Sequence, residues 1–240
     1  MTPHKHNSHN PHIIHHFDAE LVEIHHLAID MLNLILQQWE LAIEGLDEAN
    51  LKSALNVIAK RSHVLHYETS IDQAILILLA KEHPVAIDLR VVLSISKISA
   101  AMKYLGEEAA RIAQLTLSLY EPRNGTPHAH LLTEIAKISE NIRMMLGQLA
   151  IVLGNFESRQ AHMLMKQHKD FEQEILEAIK HQLALINHDM RQIRPALTIL
   201  QIMNSLEMCV DHCKNLTEYS IFMIDGLDVR HLNSDSASRS

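Results

Sequence analysis

The sequence predicts an all-α protein made of two tandem, pseudo-symmetric three-helix bundles, with six long helices in total. Three observations lead to this fold class. First, the 240 residues include only six glycines, six prolines and 4% aromatic residues, and straight-chain residues that favour helices are abundant. Second, helix-breaking stretches are few and divide the chain into six segments of about 30 residues. Third, the two halves of the chain repeat each other at one constant spacing.

The first half contains three predicted helices. The first covers residues 17–46 and ends at the polar stretch 47–50. The second covers residues 48–82 and ends before Pro84, which cannot continue a helix. The third covers residues 85–120, and its apolar residues from Val92 to Ile112 recur every three or four positions. This spacing is typical of the buried stripe of an amphipathic helix.

The second half contains three predicted helices of similar length. The fourth helix covers residues 128–154 and ends at Gly154 and Asn155. The fifth helix covers residues 156–187 and the sixth covers residues 190–226. The stretch from His188 to Pro195 marks the break between them. Each segment again carries apolar residues at three- and four-residue spacing.

A spacing of 104 residues aligns the two halves. It pairs Arg90 with Arg194 and Glu107 with Asp211. The same spacing makes five further matches: Leu93 with Leu197, Ile98 with Ile202, Tyr67 with Phe171, Glu68 with Glu172, and Ile71 with Ile175. Because one spacing aligns two consecutive helices, the sequence indicates the duplication of a three-helix unit.

The boundaries of the two units follow from the breaker-rich stretches. Residues 121–127 contain two prolines and one glycine, so we predict a first bundle over residues 17–125 and a second over 126–231. Residues 1–16 hold six of the nineteen histidines, at positions 4, 6, 9, 12, 15 and 16. We predict a disordered His-rich tail there and a second disordered tail over residues 232–240.

Composition excludes several classes of function. The net charge of -8 disfavours binding to nucleic acid, which requires a surplus of Lys and Arg. The longest apolar run, Ala74 to Ala80, is far shorter than the roughly 20 residues of a transmembrane helix. The first sixteen residues lack the apolar stretch of a secretory signal. We therefore expect a cytoplasmic protein.

Motifs typical of enzymes are missing from the sequence. It contains no Gly-x-Ser-x-Gly elbow and no glycine-rich loop that could hold phosphate. The two cysteines, Cys209 and Cys213, are one helical turn apart and offer no disulfide framework. We expect no enzymatic activity.

An oxygen-rich ladder on the sixth helix is the main candidate site. Glu207, Asp211 and Asn215 recur at four-residue spacing, so their side chains project from one helix face. Such oxygens suit a divalent metal ion or iron, with further ligands from other helices or water. On the pattern alone, an acidic ladder is more often a solvated helix face than a metal site. Cys209 and Cys213 point roughly 200° away from the ladder, so we predict that they are core residues.

The stretch SLEMCVDHCKNLTEYSI, residues 205–221, resembles the second signature of the PhoU family of phosphate-signalling proteins. In that signature Glu, Asp and Asn follow one another at four-residue spacing. DLRVVLSISKI, residues 88–98, resembles the segment that leads into the family's first signature, and Gly106, Glu107 and Ala109 match that signature itself. The resemblance covers about residues 17–231.

The first signature differs from the family pattern at two positions. Lys103 stands where the family has an acid, and Arg111 stands at the position equivalent to Asn215. Because an ammonium group repels a bound cation, we do not expect Glu107 to belong to a first metal cluster. Instead we expect Lys103 and Arg111 to pair with Glu107.

The resemblance implies a regulatory function. Members of the family are cytoplasmic accessories that couple a phosphate ABC transporter to a sensor histidine kinase and repress phosphate uptake and the starvation response. It further implies a homodimer and a metal at Glu207, Asp211 and Asn215.

Other interpretations remain open. Glu23 and His26 form one Glu-x-x-His motif, as in ferritin-like carboxylate-bridged metal proteins, although those need two such motifs. A metal-free helical adaptor is the third possibility. For Arg90 and Arg194 we expect local salt bridges with Asp88 and Asp189.

Overall fold

The computed structural model describes residues 11–81, 84, 86–121, 129–186 and 193–230. Within these ranges the chain forms six α-helices: α1 (Pro11–Asp47), α2 (Leu51–Lys81), α3 (Ala86–Leu119), α4 (Ala129–Asn155), α5 (Ser158–Ile186) and α6 (Ile193–Asp225). The predicted all-α class with six long helices is confirmed. None of the helices in the described ranges combines the length and the apolar character that crossing a lipid bilayer requires.

The first helix differs most from its predicted bounds. It begins at Pro11, six residues before the predicted start at 17. Proline is favoured at the first helical position because the N–H group that it lacks would have no partner there. Residues 11–16, which were predicted to belong to the His-rich tail, therefore belong to α1. Residues 1–10, the bundle boundary near 125 and the tail 232–240 lie outside the described residues.

Local capping explains where α1 ends and α2 begins. Ala49 has a positive φ of 53°, which ends the preceding helix. The side-chain oxygen of Asn50 accepts a hydrogen bond from the backbone N–H of Ser53 at 3.4 Å, as a helix N-cap does. The Asn50 amide also donates to Glu44 Oε1 at 2.9 Å. The second helix therefore begins at Leu51 rather than at residue 48.

The two bundles share one hydrophobic core. Buried apolar side chains from all six helices form a single cluster, with one example from each helix in Trp39, Ile71, Met102, Leu146, Leu164 and Leu206. Helices α3 and α6 pack against each other at the centre, α1 and α2 lie against α3, and α4 and α5 lie against α6. The tandem units are therefore not separate bodies.

Helices α3 and α6 are antiparallel. The Lys97 ammonium lies 5.4 Å from the ring centroid of Tyr219, and Tyr104 stacks on His212 with ring centroids 5.2 Å apart. The residue number rises from 97 to 104 along α3 while that of the α6 partner falls from 219 to 212. The two helices therefore run in opposite directions. An antiparallel pair of repeated helices has an approximate twofold axis between them.

The burial of repeat-related residues agrees with the 104-residue spacing. Ile98 and Ile202 are both buried. Leu93 and Leu197, by contrast, are 48% and 51% exposed. The repeat therefore preserves which side chains face the solvent as well as which form the core.

Candidate functional site

The predicted ladder lies on α6 near the middle of the molecule. Glu207 and Asp211 are exposed, and Asn215 is half-buried. Their four-residue spacing on a continuous helix places them on one face. The structure thus presents the three side chains to an open surface.

A lysine from the same helix occupies the polar surface beside the ladder. Lys214 Nζ donates a hydrogen bond to Glu172 Oε1 of α5 at 2.8 Å. This bond and the nearby negative charges of Glu172, Glu218 and Asp211 raise the pKa of Lys214. The ammonium group therefore stays charged at neutral pH.

An open cleft of about 330 Å³ lies beside this ion pair and is lined by Asp211, Lys214, Asn215, Glu218 and Arg230. Glu218 is 7% exposed, and burial raises the pKa of its carboxyl group, which Lys214 and Arg230 partly oppose. Arg230 forms a bidentate ion pair with Asp228. The cleft thus contains two fixed cations among its carboxylates.

A buried histidine lies on the α5 side of the same region. His168 is 1% exposed and lies 3.2 Å from Thr217 Oγ1 through its Nε2 atom. Since the Thr217 hydroxyl donates to the carbonyl of Cys213 at 2.8 Å, it must accept from His168 Nε2–H. The buried His168 Nδ1 atom has no hydrogen-bond partner in the structure. Burial lowers the pKa of His168 to about 4, so the ring is neutral at pH 7.

His168, Glu172 and Lys214 line a cavity of about 240 Å³ together with Met165 and Lys169. His168 and Lys214 were not predicted from the sequence, and Glu172 was noted there only as the repeat partner of Glu68. The four-residue spacing of His168 and Glu172 on α5 is the signal that could have drawn attention to them.

In the first repeat, Lys103 pairs across helices. Its Nζ atom lies 2.7 Å from Glu68 Oε1 of α2, whereas Glu107 lies 3.8 Å from Arg61 Nη2, also of α2. Lys103 and Glu107 therefore pair with α2 instead of with each other as predicted, and no ion pair within 4 Å joins Arg111 to Glu107 in the described ranges. A lysine that precedes a glutamate by four residues has the less favourable orientation on a helix, and the partly buried Glu68 offers a stronger partner.

Gly106 of the first signature brings α2 and α3 close together. A Cβ atom at this position would lie 3.0 Å from both methyl groups of the buried Val64. The same contact region opens outwards into a cleft of about 390 Å³ whose lining includes Arg61, Lys103 and Glu107. The first signature therefore lies at a close helix contact.

The residues around the ladder do not fit a metal shell in this arrangement. Glu172, the neighbouring carboxylate of α5, accepts a hydrogen bond from Lys214. It is therefore already paired with a cation of the protein. Within the described ranges, no group of three or more His, Cys, Asp and Glu side chains lies close enough together to hold a metal ion. A metal at Glu207, Asp211 and Asn215 stays a prediction that elemental analysis decides.

Cys209 and Cys213 are fully buried free cysteines in the core, as predicted. Burial raises the pKa of both thiols, with a further contribution at Cys209 from Cys213 and Glu108. A thiol held in its protonated form is a weak nucleophile and a weak metal ligand.

Arg90 has a different partner from the one predicted. No ion pair within 4 Å joins it to Asp88 in the described part of the chain, and its guanidinium lies against Gly226 at the end of α6. Cations are favoured at helix C-termini because the terminal carbonyls carry partial negative charge. Asp189, the predicted partner of Arg194, lies outside the described residues.

Glu23 and His26, the two residues of the Glu-x-x-His motif, are both exposed on α1. Ferritin-like sites place such residues inside a bundle. The structure therefore gives no support to a carboxylate-bridged metal centre at this motif.

Comparisons with known proteins all lead to the same family. Residues 28–116 match the family model of the PhoU domain. The chain is 29% identical over 221 residues to the phosphate-specific transport system accessory protein PhoU homolog of Pseudomonas putida, covering 92% of this chain and 85% of that protein. It is 27% identical over 230 residues to the corresponding protein PhoU of Escherichia coli strain K12, covering 96% of this chain and 94% of the other. The crystal structure of PhoU from Pseudomonas aeruginosa superposes with a TM-score of 0.83 at 26% identity, covering 88% of this chain and 100% of that one.

Proposed function

From this similarity over both repeats, we propose that the chain is a member of the PhoU family and an accessory protein of a phosphate-specific transport system. One observation carries the proposal. The accessory protein of Escherichia coli aligns over 96% of this chain and 94% of its own length, so the likeness extends through both repeats. An alignment confined to one bundle would support a shared fold without supporting a shared role.

The finer form of the proposal is a cytoplasmic negative regulator of phosphate uptake. In this role the protein links a phosphate ABC transporter to a sensor histidine kinase and keeps the starvation response off when phosphate is plentiful. It acts by protein contact, as a homodimer, and not by catalysis. The buried, protonated thiols and the neutral, buried His168 support a role without catalysis, because none of them is poised as an accessible nucleophile or base.

Deletion of the gene in its native host tests the regulatory role. We expect a phosphate-starvation reporter to become active at high phosphate, and we expect a plasmid copy of the gene to restore repression. A reporter that stays silent in the deletion strain at high phosphate would remove the regulatory claim. Sedimentation of the purified full chain tests the homodimer separately, and a monomer at micromolar concentration would reject it.

Two alternatives differ in their support. The family assignment and the exposure of Glu23 and His26 speak against the ferritin-like metal protein. The metal-free adaptor is favoured by one specific observation, the ion pairs of Lys103 and Lys214 with carboxylates of the neighbouring helices. This alternative is compatible with an accessory role in phosphate transport, because a regulator that acts by contact does not require a metal.

A further inference from the structure

We propose that Lys103 and Lys214 are the built-in cations of the two repeats. Each ammonium group neutralises the carboxylates between the second and third helices of its repeat, in the place where a divalent metal ion would otherwise be needed. This balance of charge between neighbouring helices does not depend on the proposed transport role.

The two paired carboxylates occupy equivalent positions in the repeats. Glu68 on α2 and Glu172 on α5 are 104 residues apart, which is the repeat spacing. Each carboxylate lies within hydrogen-bonding distance of an ammonium group on the third helix of its own repeat. Glu68 lies 2.7 Å from Lys103 Nζ, and Glu172 lies 2.8 Å from Lys214 Nζ. A positively charged partner is therefore present at the same place in both halves.

The two lysines themselves are not equivalent. The repeat partner of Lys103 is Glu207, and that of Lys214 is Ala110. Lys103 lies one helical turn before Glu107, whereas Lys214 lies one turn after Asp211, the repeat partner of Glu107. The carboxylates occupy the same repeat position, but the lysines that neutralise them do not. The need for a cation at this carboxylate is therefore common to both repeats.

Partial burial makes the Glu68–Lys103 pair matter more than an ordinary surface ion pair, and the Glu172–Lys214 pair is less buried. The side chains of Glu68 and Lys103 are 13% and 23% exposed, and those of Glu172 and Lys214 are 39% and 31% exposed. A carboxylate that has lost part of its water shell is costly unless a positive charge compensates it. Removing the lysine alone should leave that cost uncompensated.

An ammonium group and a divalent cation exclude each other at such a carboxylate. A metal ion binds carboxylate oxygens at about 2.0–2.6 Å, and an ammonium already hydrogen-bonded to the same oxygen would lie close enough to repel it strongly. In the second repeat the same lysine also faces the charges of Asp211 and Glu218. If Lys214 is removed, Glu172 loses its ammonium partner, while the negative charges of Asp211 and Glu218 remain nearby.

The test compares the thermal stability of full-length variants with and without MnCl2 and with EDTA. We expect the Tm of the wild-type protein to be the same in all three conditions. We expect Lys214→Gln to lower Tm, and added Mn²⁺ to recover about 5 °C or more at about 100-fold excess over Kd. Any Mn²⁺ held by the histidines of residues 1–16 would be common to all variants and would cancel in the comparison.

Three matched variants make the result specific to the charge at position 214. Lys166→Gln removes an exposed lysine of α5 and should behave like the wild type. Lys214→Arg keeps the positive charge and should show no response to Mn²⁺. Lys214→Gln combined with Glu172→Gln removes both charges and should recover most of the lost Tm without Mn²⁺.

Several results would overturn the proposal. Elemental analysis could find about one metal per wild-type chain, lost in the Glu207→Ala, Asp211→Ala double variant, or EDTA could lower the wild-type Tm. Equal Mn²⁺ responses of Lys214→Gln and Lys166→Gln would also reject it. If Lys214→Gln does not fold, Lys103→Gln provides the same comparison in the first repeat, where Glu68 loses its ammonium partner.

Discussion

At the scale of single residues, His168 gives the protein a specific sensitivity to acid. The folded state holds its imidazole neutral down to a pH of about 4, whereas an unfolded chain protonates histidine near pH 6.5. The unfolded state therefore binds more protons between these two values, and the free energy of unfolding falls as pH is lowered from about 6.5 to 4. The lowering of about 2.5 pKa units corresponds to roughly 3 kcal/mol of stability lost over that window.

We predict that His168→Gln makes the stability less dependent on pH in this window. Glutamine can still donate a hydrogen bond to Thr217 but has no group that titrates there. Urea unfolding of both proteins at several pH values between 4 and 7 measures the difference. His66→Gln, which replaces an exposed histidine of α2, is the matched control and should keep the wild-type slope. Parallel slopes for wild type and His168→Gln would contradict the prediction.

The burial of the cysteines could be predicted from the sequence, whereas the partner of Lys103 could not. Periodicity identified Cys209 and Cys213 as core residues because burial follows from the face of a helix. It assigned Lys103 the wrong partner, since the relevant acid, Glu68, is 35 positions away in the sequence. Neighbours within one helix can be inferred from spacing, whereas partners on another helix depend on how the helices pack.

At the scale of helices, the contact of Arg90 with Gly226 joins the start of α3 to the end of α6. Gly226 has a φ of +73°, and its N–H donates to the carbonyl of Phe222 at 3.0 Å, which is a typical C-terminal helix cap. Any Cβ atom at this position would collide with the Arg90 guanidinium. Nearby, Asp225 accepts hydrogen bonds from Ser158 at 2.8 Å and from His162 at 2.9 Å, so one end of α6 is tied to both α3 and α5.

We predict that Gly226→Ala destabilises the protein by about 1–2 kcal/mol, because a φ of +73° is unfavourable for alanine and the new Cβ atom would displace the flexible end of the Arg90 side chain. In an Arg90→Ala background the collision is absent, so the same substitution should cost at least about 0.5 kcal/mol less. Chemical denaturation of the four proteins in this cycle measures the coupling. Gly147→Ala serves as the control: nothing lies within 4 Å of a Cβ atom in this α4 position, and alanine there should stabilise the helix by up to about 1 kcal/mol. Strictly additive effects of Gly226→Ala and Arg90→Ala would argue against the contact.

The helices themselves could largely be predicted from the sequence. Apart from the start of α1, the predicted ends of the helices lie within three residues of the observed ones, because glycine, proline and asparagine mark them. The repeat spacing also showed that α3 and α6 are equivalent. It could not show that they pack against each other, because a buried stripe reveals that a helix face is covered without revealing which helix covers it.

At the scale of the whole molecule, the shared core makes each bundle dependent on the other. A three-helix unit separated from its partner would expose the apolar surface that α3 and α6 bury against each other. Such a surface favours association or partial unfolding. The duplication therefore produced one cooperative body from two units of similar architecture.

We predict that residues 1–125 and 126–240, produced as separate chains, do not behave as stable monomers. Each should self-associate or lose helicity on its own, and mixing them should give a one-to-one complex with more helix than the sum of the parts. Sedimentation and far-UV circular dichroism measure both effects. A monomeric first half that unfolds cooperatively by itself would show that the two bundles are independent.

The antiparallel packing of α3 and α6 also has a consequence for synthesis on the ribosome. Arg90 is made 136 residues before Gly226. At about 5–20 residues per second, Arg90 is made roughly 7 to 27 s before the end of its partner helix. During this interval the uncovered face of α3 is open to another nascent chain from the same messenger RNA. The speed of translation through the second repeat therefore influences how many chains pair within themselves and how many exchange helices with a neighbour.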